Sequence, residues 1–304
     1  MKQTPLIAYV FLIAAAVVYG SIFTVNKLAA GDGVPPLAYG FWQSFGAGLV
    51  LWIVLTVRGD RLGLSRTHLL SYLAVGALAI GLPMSLLTYV APRLPAGLLT
   101  IVLAWSPPLT FVFSVIARLE RFRVVGMLGL AFGFAGVLVI IGPGMSASAP
   151  GAWAWFLLAL IAPVFFACAN VTAALFRPPV SSSLSMAAGV LLGSSIVVLP
   201  IMVAAGQSWV PADFAGPGAM AVLMAIGINA VFIVLFFEII RIAGPTFFAQ
   251  FNYLAVLAGV AWSTLVFGER LPLQFFIAML LMFLGVFLSA ARPRRAAQDV
   301  GIES

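Results

Sequence analysis

Leu119-Glu120-Arg121-Phe122 returns 149 residues later as Gly268-Glu269-Arg270-Leu271. Each copy lies between two apolar runs, and each following run ends in a Gly-Val pair, Gly136-Val137 and Gly285-Val286. Working outward from these turns, the chain divides into two sets of five apolar stretches. The first set is 5–28, 35–57, 67–91, 95–117 and 123–141; the second is 151–175, 182–205, 216–240, 246–267 and 272–291. Turn residues mark the breaks, among them Gly31-Asp32-Gly33, Pro35-Pro36, Gly142-Pro143-Gly144 and Gly216-Pro217-Gly218. Five is an odd number, so two such sets in series enter a bilayer from opposite sides. The expected fold is all-α integral membrane, with ten transmembrane helices as two inverted five-helix repeats. Residues 1–143 form the first repeat, 144–291 the second, and 292–304 a basic cytoplasmic tail. Inverted repeats mark transporters whose substrate site lies near the midplane, where the repeats meet.

Hydrophobic residues make up 63% of the 304 residues and charged residues 8%. Soluble domains carry about 45–50% apolar and about 25% charged residues. Lipid is therefore the solvent, and at about 20 residues per span no length remains for a soluble domain. A single cysteine, Cys168, and a single histidine, His68, exclude a disulfide framework and the usual zinc or iron ligand sets. No cofactor or metal is expected. The formal charge of +7 points to membrane orientation rather than to nucleic acid, because no soluble basic module exists to carry it. Lys2 and the apolar run after it begin like a signal peptide, but the run continues to Ala30, so a retained helix is expected. The N-terminus, the even-numbered connections and the tail together hold twelve Lys and Arg; the opposite side holds only Lys27, Arg93 and Arg270. The positive-inside rule then places both termini in the cytoplasm, in a cell (inner) membrane.

The span count, the Glu-Arg turns after the fourth and ninth helices, and a Gly-rich fifth helix ending Gly133-Phe134-Ala135-Gly136-Val137 resemble the EamA family of the drug/metabolite transporter superfamily. The resemblance covers about residues 5–291. Within the family the chain looks most like amino-acid exporters of the YddG type. The resemblance implies ten helices in two inverted repeats that rock about a central site. The halves are not interchangeable: between 94–140 and 243–289 only six positions match. A substrate would therefore meet two different walls.

Polar groups in hydrocarbon need a partner or a cavity. Those near mid-span are Tyr19, Ser21, Asn170, Asn229, Gln250, Asn252 and Tyr253. Each either makes an interhelical hydrogen bond, worth about 0.6 kcal/mol, or faces the substrate. Pro83 and the run Trp105-Ser106-Pro107-Pro108 free backbone carbonyls near Ala79, Leu103 and Ala104. These could accept from a substrate ammonium, or mark packing kinks only; Pro163 and Pro200 are further kink points. Trp42 and Trp105 lie deep enough to stack on an apolar side chain or cover an ammonium, with lipid contact as the competing reading. Trp153, Trp155 and Trp209 read as interfacial anchors. The substrate-binding candidates are thus Tyr19, Trp42, Pro83, Trp105, Asn170, Asn229, Gln250 and Tyr253. Glu238 is the one acid inside an expected helix, with Arg241 three residues on. An i,i+3 ion pair is the simplest account, and a cytoplasmic gate or coupling site the alternative. Gly129-xxx-Gly133 suits either a close contact within the chain or a dimer face, so the protein is expected as a monomer or homodimer.

Without a midplane carboxylate, gradient-driven export is favoured over proton antiport. Fixed cations lie only near helix ends, which disfavours sugar phosphates and favours zwitterions with apolar side chains. The leading expectation is a secondary transporter exporting neutral or aromatic amino acids, with the bilayer and a small-molecule substrate as its partners and no nucleic acid. Export of other small metabolites or drugs by the same architecture is the alternative. A passive channel lacks a continuous polar path, and an intramembrane enzyme lacks a catalytic constellation. No Gly-x-x-x-x-Gly-Lys-[Ser/Thr] loop occurs, so ATP is not the driving force through this chain.

Overall fold

The computed structural model describes residues 5–90, 93–94, 102–141, 152–178, 181–210, 213, 215–267 and 273–290. Among them there are helices and no strands. The first half holds α1 (Leu6–Gly31), α2 (Pro36–Val57), α3 (Arg66–Gly76), α4 (Leu82–Val90), α5 (Ser106–Ile116) and α6 (Val124–Ile141). The second half holds α7 (Ala152–Ala159), α8 (Ile161–Leu175), α9 (Ser183–Ala204), α10 (Pro217–Ala243), α11 (Pro245–Ala249), α12 (Phe251–Phe267) and α13 (Leu273–Ala290). Seven helical segments are long and apolar enough to cross a membrane, and three shorter apolar helices accompany them. Large apolar side chains such as Val57, Ile116, Leu265, Leu280 and Phe287 point outward, a surface that only lipid covers at low cost. The chain is a multi-pass membrane protein.

Proline opens α2, α10 and α11, where its missing N–H would have no helical partner. Between α10 and α11, Gly244 takes φ 91°, a conformation that lets the chain reverse without a Cβ clash. The first and eighth stretches each run three residues further than the sequence predicts, to Gly31 and Ala243. Others are interrupted. Between α3 and α4 lies a π turn, Ala77–Gly81, in which the Leu82 N–H reaches back to the Ala77 carbonyl. It ends one residue short of Pro83 and supplies the extra residue that relieves the clash of the ring with the carbonyl at Ala79. The fourth stretch turns at Ala104 and Trp105, just before its two prolines, and the sixth turns at Leu160, ahead of Pro163. Pro200 sits within an unbroken α9. The ninth stretch, predicted as one helix over 246–267, is one span over Pro245–Val266 with a single-residue turn at Gln250.

The closest pairings join the two halves. α1 packs on α10 and α12, α2 on α9 and α10, α3 on α9, α5 on α8 and α11, and α6 on α13. In lipid there is no hydrophobic drive between helices, so close packing holds such pairs together. The tightest is α6 with α13. A Cβ on Gly129 would lie 2.5 Å from the Ser289 nitrogen, and one on Gly285 2.6 Å from the Gly129 carbonyl oxygen. The glycine face of the fifth stretch is thus buried inside the chain. Nearby, Tyr253 of α12 lays its ring against Gly133 and donates its hydroxyl to the Leu130 carbonyl at 3.1 Å.

Candidate functional site

Every buried polar side chain among the described residues is uncharged. Most lie where the halves meet. On α5, Ser106, Thr110 and Ser114 follow at i, i+4 and i+8, so one helix face presents all three hydroxyls, fully buried. Thr110 Oγ1 donates to the Ser106 carbonyl at 2.8 Å and accepts from Asn170 Nδ2 of α8 at 3.1 Å. Thr246 of α11 donates to the Ser114 hydroxyl at 3.3 Å. Gln250 follows Thr246 by one helical turn and is 1% exposed, yet neither amide atom has a partner among the described residues. The Ser106 hydroxyl also has no partner among the described residues. A buried unpaired polar group costs about 1–3 kcal/mol, so each such group calls for an explanation.

A second seam joins α2 to α10. Asn229 Nδ2 donates to Gln43 Oε1 and to the Ala225 carbonyl, both at 2.9 Å. Gln43 was not among the sequence candidates. Its signal, an amide in the middle of an apolar helix, was available beside Trp42. Aromatic rings flank both seams. Tyr19 lies 4.2 Å from Phe232 and 5.5 Å from Phe251, centroid to centroid, and Phe251 stacks on Phe248 at 5.5 Å.

The remaining candidates are dispersed. Trp42 donates its indole N–H to the Trp209 carbonyl at 2.7 Å, and the two rings border a cavity of about 150 Å³ with Ala219, Val222 and Ile226. Trp105, at the turn after Ala104, is 42% exposed and packs edge-on against Phe134. Tyr253 is held by α6 as described above, and Pro83 is buried just beyond the π turn. Ser21 and Asn252 bond to nearby backbone carbonyls of their own stretches.

Each end of the bundle is tied across the halves. At one end the connections cap each other's helices. Asp32 Oδ2 accepts the Gly218 N–H of α10 at 2.7 Å, and Gln207 Oε1 accepts the Leu37 N–H of α2 at 3.0 Å. Both acceptors sit at helix N-termini, where donors are free and the helix dipole favours negative charge. At the other end His68 Nε2 meets the Ser181 hydroxyl at 3.1 Å, and Tyr72 meets Ser185 at 3.4 Å. Beside them lies a cavity of about 270 Å³, lined by Asp60, Arg61, His68 and the serines 181, 182 and 185. Arg177 donates to the Ser181 carbonyl and to Ser183, and Ser183 donates to Glu238 at 2.6 Å. Glu238 and Arg241 form the i,i+3 ion pair that the sequence suggested. Partial burial lowers the Arg177 pKa, Arg241 lowers it further, and Glu238 opposes both. Because the Arg241 side chain is 55% exposed, Arg241→Gln is expected to change stability by less than about 1 kcal/mol. Thermal unfolding in detergent checks this; a loss of several degrees would make the pair an anchor.

The EamA-like transporter family matches the chain twice, over residues 6–142 and 153–291. Two proteins of Bacillus subtilis (strain 168) are similar in sequence. Uncharacterized transporter YvbV is 28% identical over 307 residues, covering 99% of this chain and 98% of its own. Uncharacterized transporter YoaV is 27% identical over 161 residues, 53% of this chain and 54% of its own. A protein crystal structure shares the fold at a TM-score of 0.76 and 19% identity, spanning 93% of this chain and 96% of the matched one. With both halves matched, the chain belongs to the EamA-like transporter family, membrane transporters of the drug/metabolite type.

Proposed function

We propose that the chain is a secondary exporter of neutral amino acids, aromatic ones included, working by alternating access around the two seams. The observation that carries this reading is the buried, uncharged polar lining. A zwitterion brings both of its charges and needs only dipoles and an apolar wall. Asn170, Asn229, Gln43, Gln250 and the α5 hydroxyls supply the dipoles, and Tyr19, Phe232, Phe248 and Phe251 the wall. A phosphorylated solute would need a fixed cation, and no Lys or Arg is buried among the described residues. No carboxylate is buried there either, which favours export driven by the substrate gradient over proton exchange.

The repeated family match and the repeated Glu-Arg turn support ten crossings in two inverted five-helix repeats. The excess of Lys and Arg on one side supports cytoplasmic termini in the inner membrane. On that orientation the Asp32–Gly218 end is the extracytoplasmic gate, with Trp42 behind it. The Arg177–Ser183–Glu238–Arg241 network then borders the cytoplasmic entrance.

Uptake of labelled phenylalanine into proteoliposomes tests the reading. Saturable uptake, competed by unlabelled alanine and leucine but not by a sugar phosphate, is the expected result. Competition by the sugar phosphate, or no saturable uptake, would contradict it. The same uncharged lining also suits other small uncharged metabolites or drugs, and competition by these alone would favour that second reading.

A further inference from the structure

The break at Gln250 is not a proline kink. Its backbone is ordinary, φ −65° and ψ −15°, and its carbonyl still accepts the Tyr253 N–H at 3.0 Å. The anomaly is in the side chain, which is 1% exposed while neither its donor nor its acceptor meets a partner among the described residues. The other two buried amides of the sequence candidates contrast with it: Asn170 donates to Thr110 and Asn229 to Gln43. A leucine at 250 would fill similar space without the desolvation cost, so the folded state alone gives no reason for an amide there. The second empty group, the Ser106 hydroxyl, belongs to α5, the helix on which α11 packs. Both groups lie on helices of opposite halves that pack on each other, a seam that must part during alternating access.

We propose that the Gln250 carboxamide, with the Ser106 hydroxyl, binds the polar head of the transported solute. The Nε2 hydrogens and the Ser106 O–H donate to the solute's carboxylate, and Oε1 accepts from its ammonium. Phe248 and Phe251 bracket Gln250 along the chain and offer the solute's side chain an apolar wall. This assignment rests on the neutral amino-acid reading given above.

The test uses the full chain as wild type, Gln250→Leu, Ser106→Ala and Thr110→Val. It measures thermal unfolding in detergent with and without phenylalanine, and labelled phenylalanine uptake in proteoliposomes. Gln250→Leu and Ser106→Ala are expected to melt at or above wild type. Thr110→Val, which strips Asn170 of its acceptor, is expected to melt lower. Gln250→Leu is further expected to lose uptake by about 10- to 100-fold, together with the stabilisation given by phenylalanine. A lowered melting temperature for Gln250→Leu would make the amide structural and overturn the assignment, as would wild-type uptake in that variant. If wild type itself shows neither uptake nor stabilisation with any neutral amino acid, the amino-acid reading fails first and the assignment falls with it. If wild type transports and Gln250→Leu transports equally, only the assignment falls.

Discussion

Gly129→Leu and Gly285→Leu are each expected to abolish folding. A leucine in place of glycine gains about 0.8 kcal/mol of helix propensity. Against that, its Cβ would sit 2.5–2.6 Å from backbone atoms of the facing helix. Backbone cannot swing aside as a side chain can, so α6 and α13 would have to part. Overpacking costs about 1–3 kcal/mol where side chains can yield, and more here, out of a total stability of about 5–15 kcal/mol. Gly227→Leu is the control, because a Cβ there meets nothing within 4 Å. Size-exclusion profiles and thermal unfolding in detergent read the result: aggregated or absent protein for the first two variants, a wild-type profile for the third. A wild-type melting temperature for Gly129→Leu would mean that the two helices do not pack as described.

Combining Asp32→Ala with Gln207→Ala is expected to loosen the end of the bundle proposed as extracytoplasmic. Each substitution removes a helix-capping acceptor worth about 1 kcal/mol. The two bonds share no partner, so the effects add to about 2 kcal/mol, equivalent to a roughly 30-fold rise in the open population. Ala38 is fully buried at this end, in a small cluster with Leu37 and Met202. Ala38→Cys in a Cys168→Ser background reports the opening through its reaction with a membrane-impermeant maleimide added outside intact cells. Labelling should accelerate about 30-fold in the capless variant. An unchanged rate would show that these caps do not hold the gate. Labelling only from the cytoplasmic side would reverse the proposed orientation.

Much of the fold was legible because lipid imposes a simple rule on every span. Apolar length, Gly-Pro breaks and the repeated Glu-Arg turn outlined the helical segments. The glycine spacing announced a close contact, but not which helix would fill it, since sequence spacing does not name a partner across 150 or so residues of chain. The break at Gln250 was illegible because no proline or glycine sits at it. Trp105 looked deep by its distance from the span ends, and the turn beside Ala104, which leaves it 42% exposed, is not marked by its own residue types. Tyr253 looked like a cavity group and instead fills the space beside Gly133. The Ser106, Thr110, Ser114 ladder was present in the spacing, but small hydroxyls in an apolar helix attract less notice than amides. Which amides are paired depends on tertiary contacts, so the contrast between Asn170 and Gln250 emerges only from the structure.

The most direct test of uncharged, gradient-driven export is counterflow. Proteoliposomes preloaded with unlabelled phenylalanine are diluted into labelled phenylalanine, with equal pH on both sides and with an imposed pH gradient. Transient accumulation of label is expected in both conditions, at equal initial rates. Accumulation that requires the pH gradient would place a titrating group on the transport path and contradict the proposed mechanism.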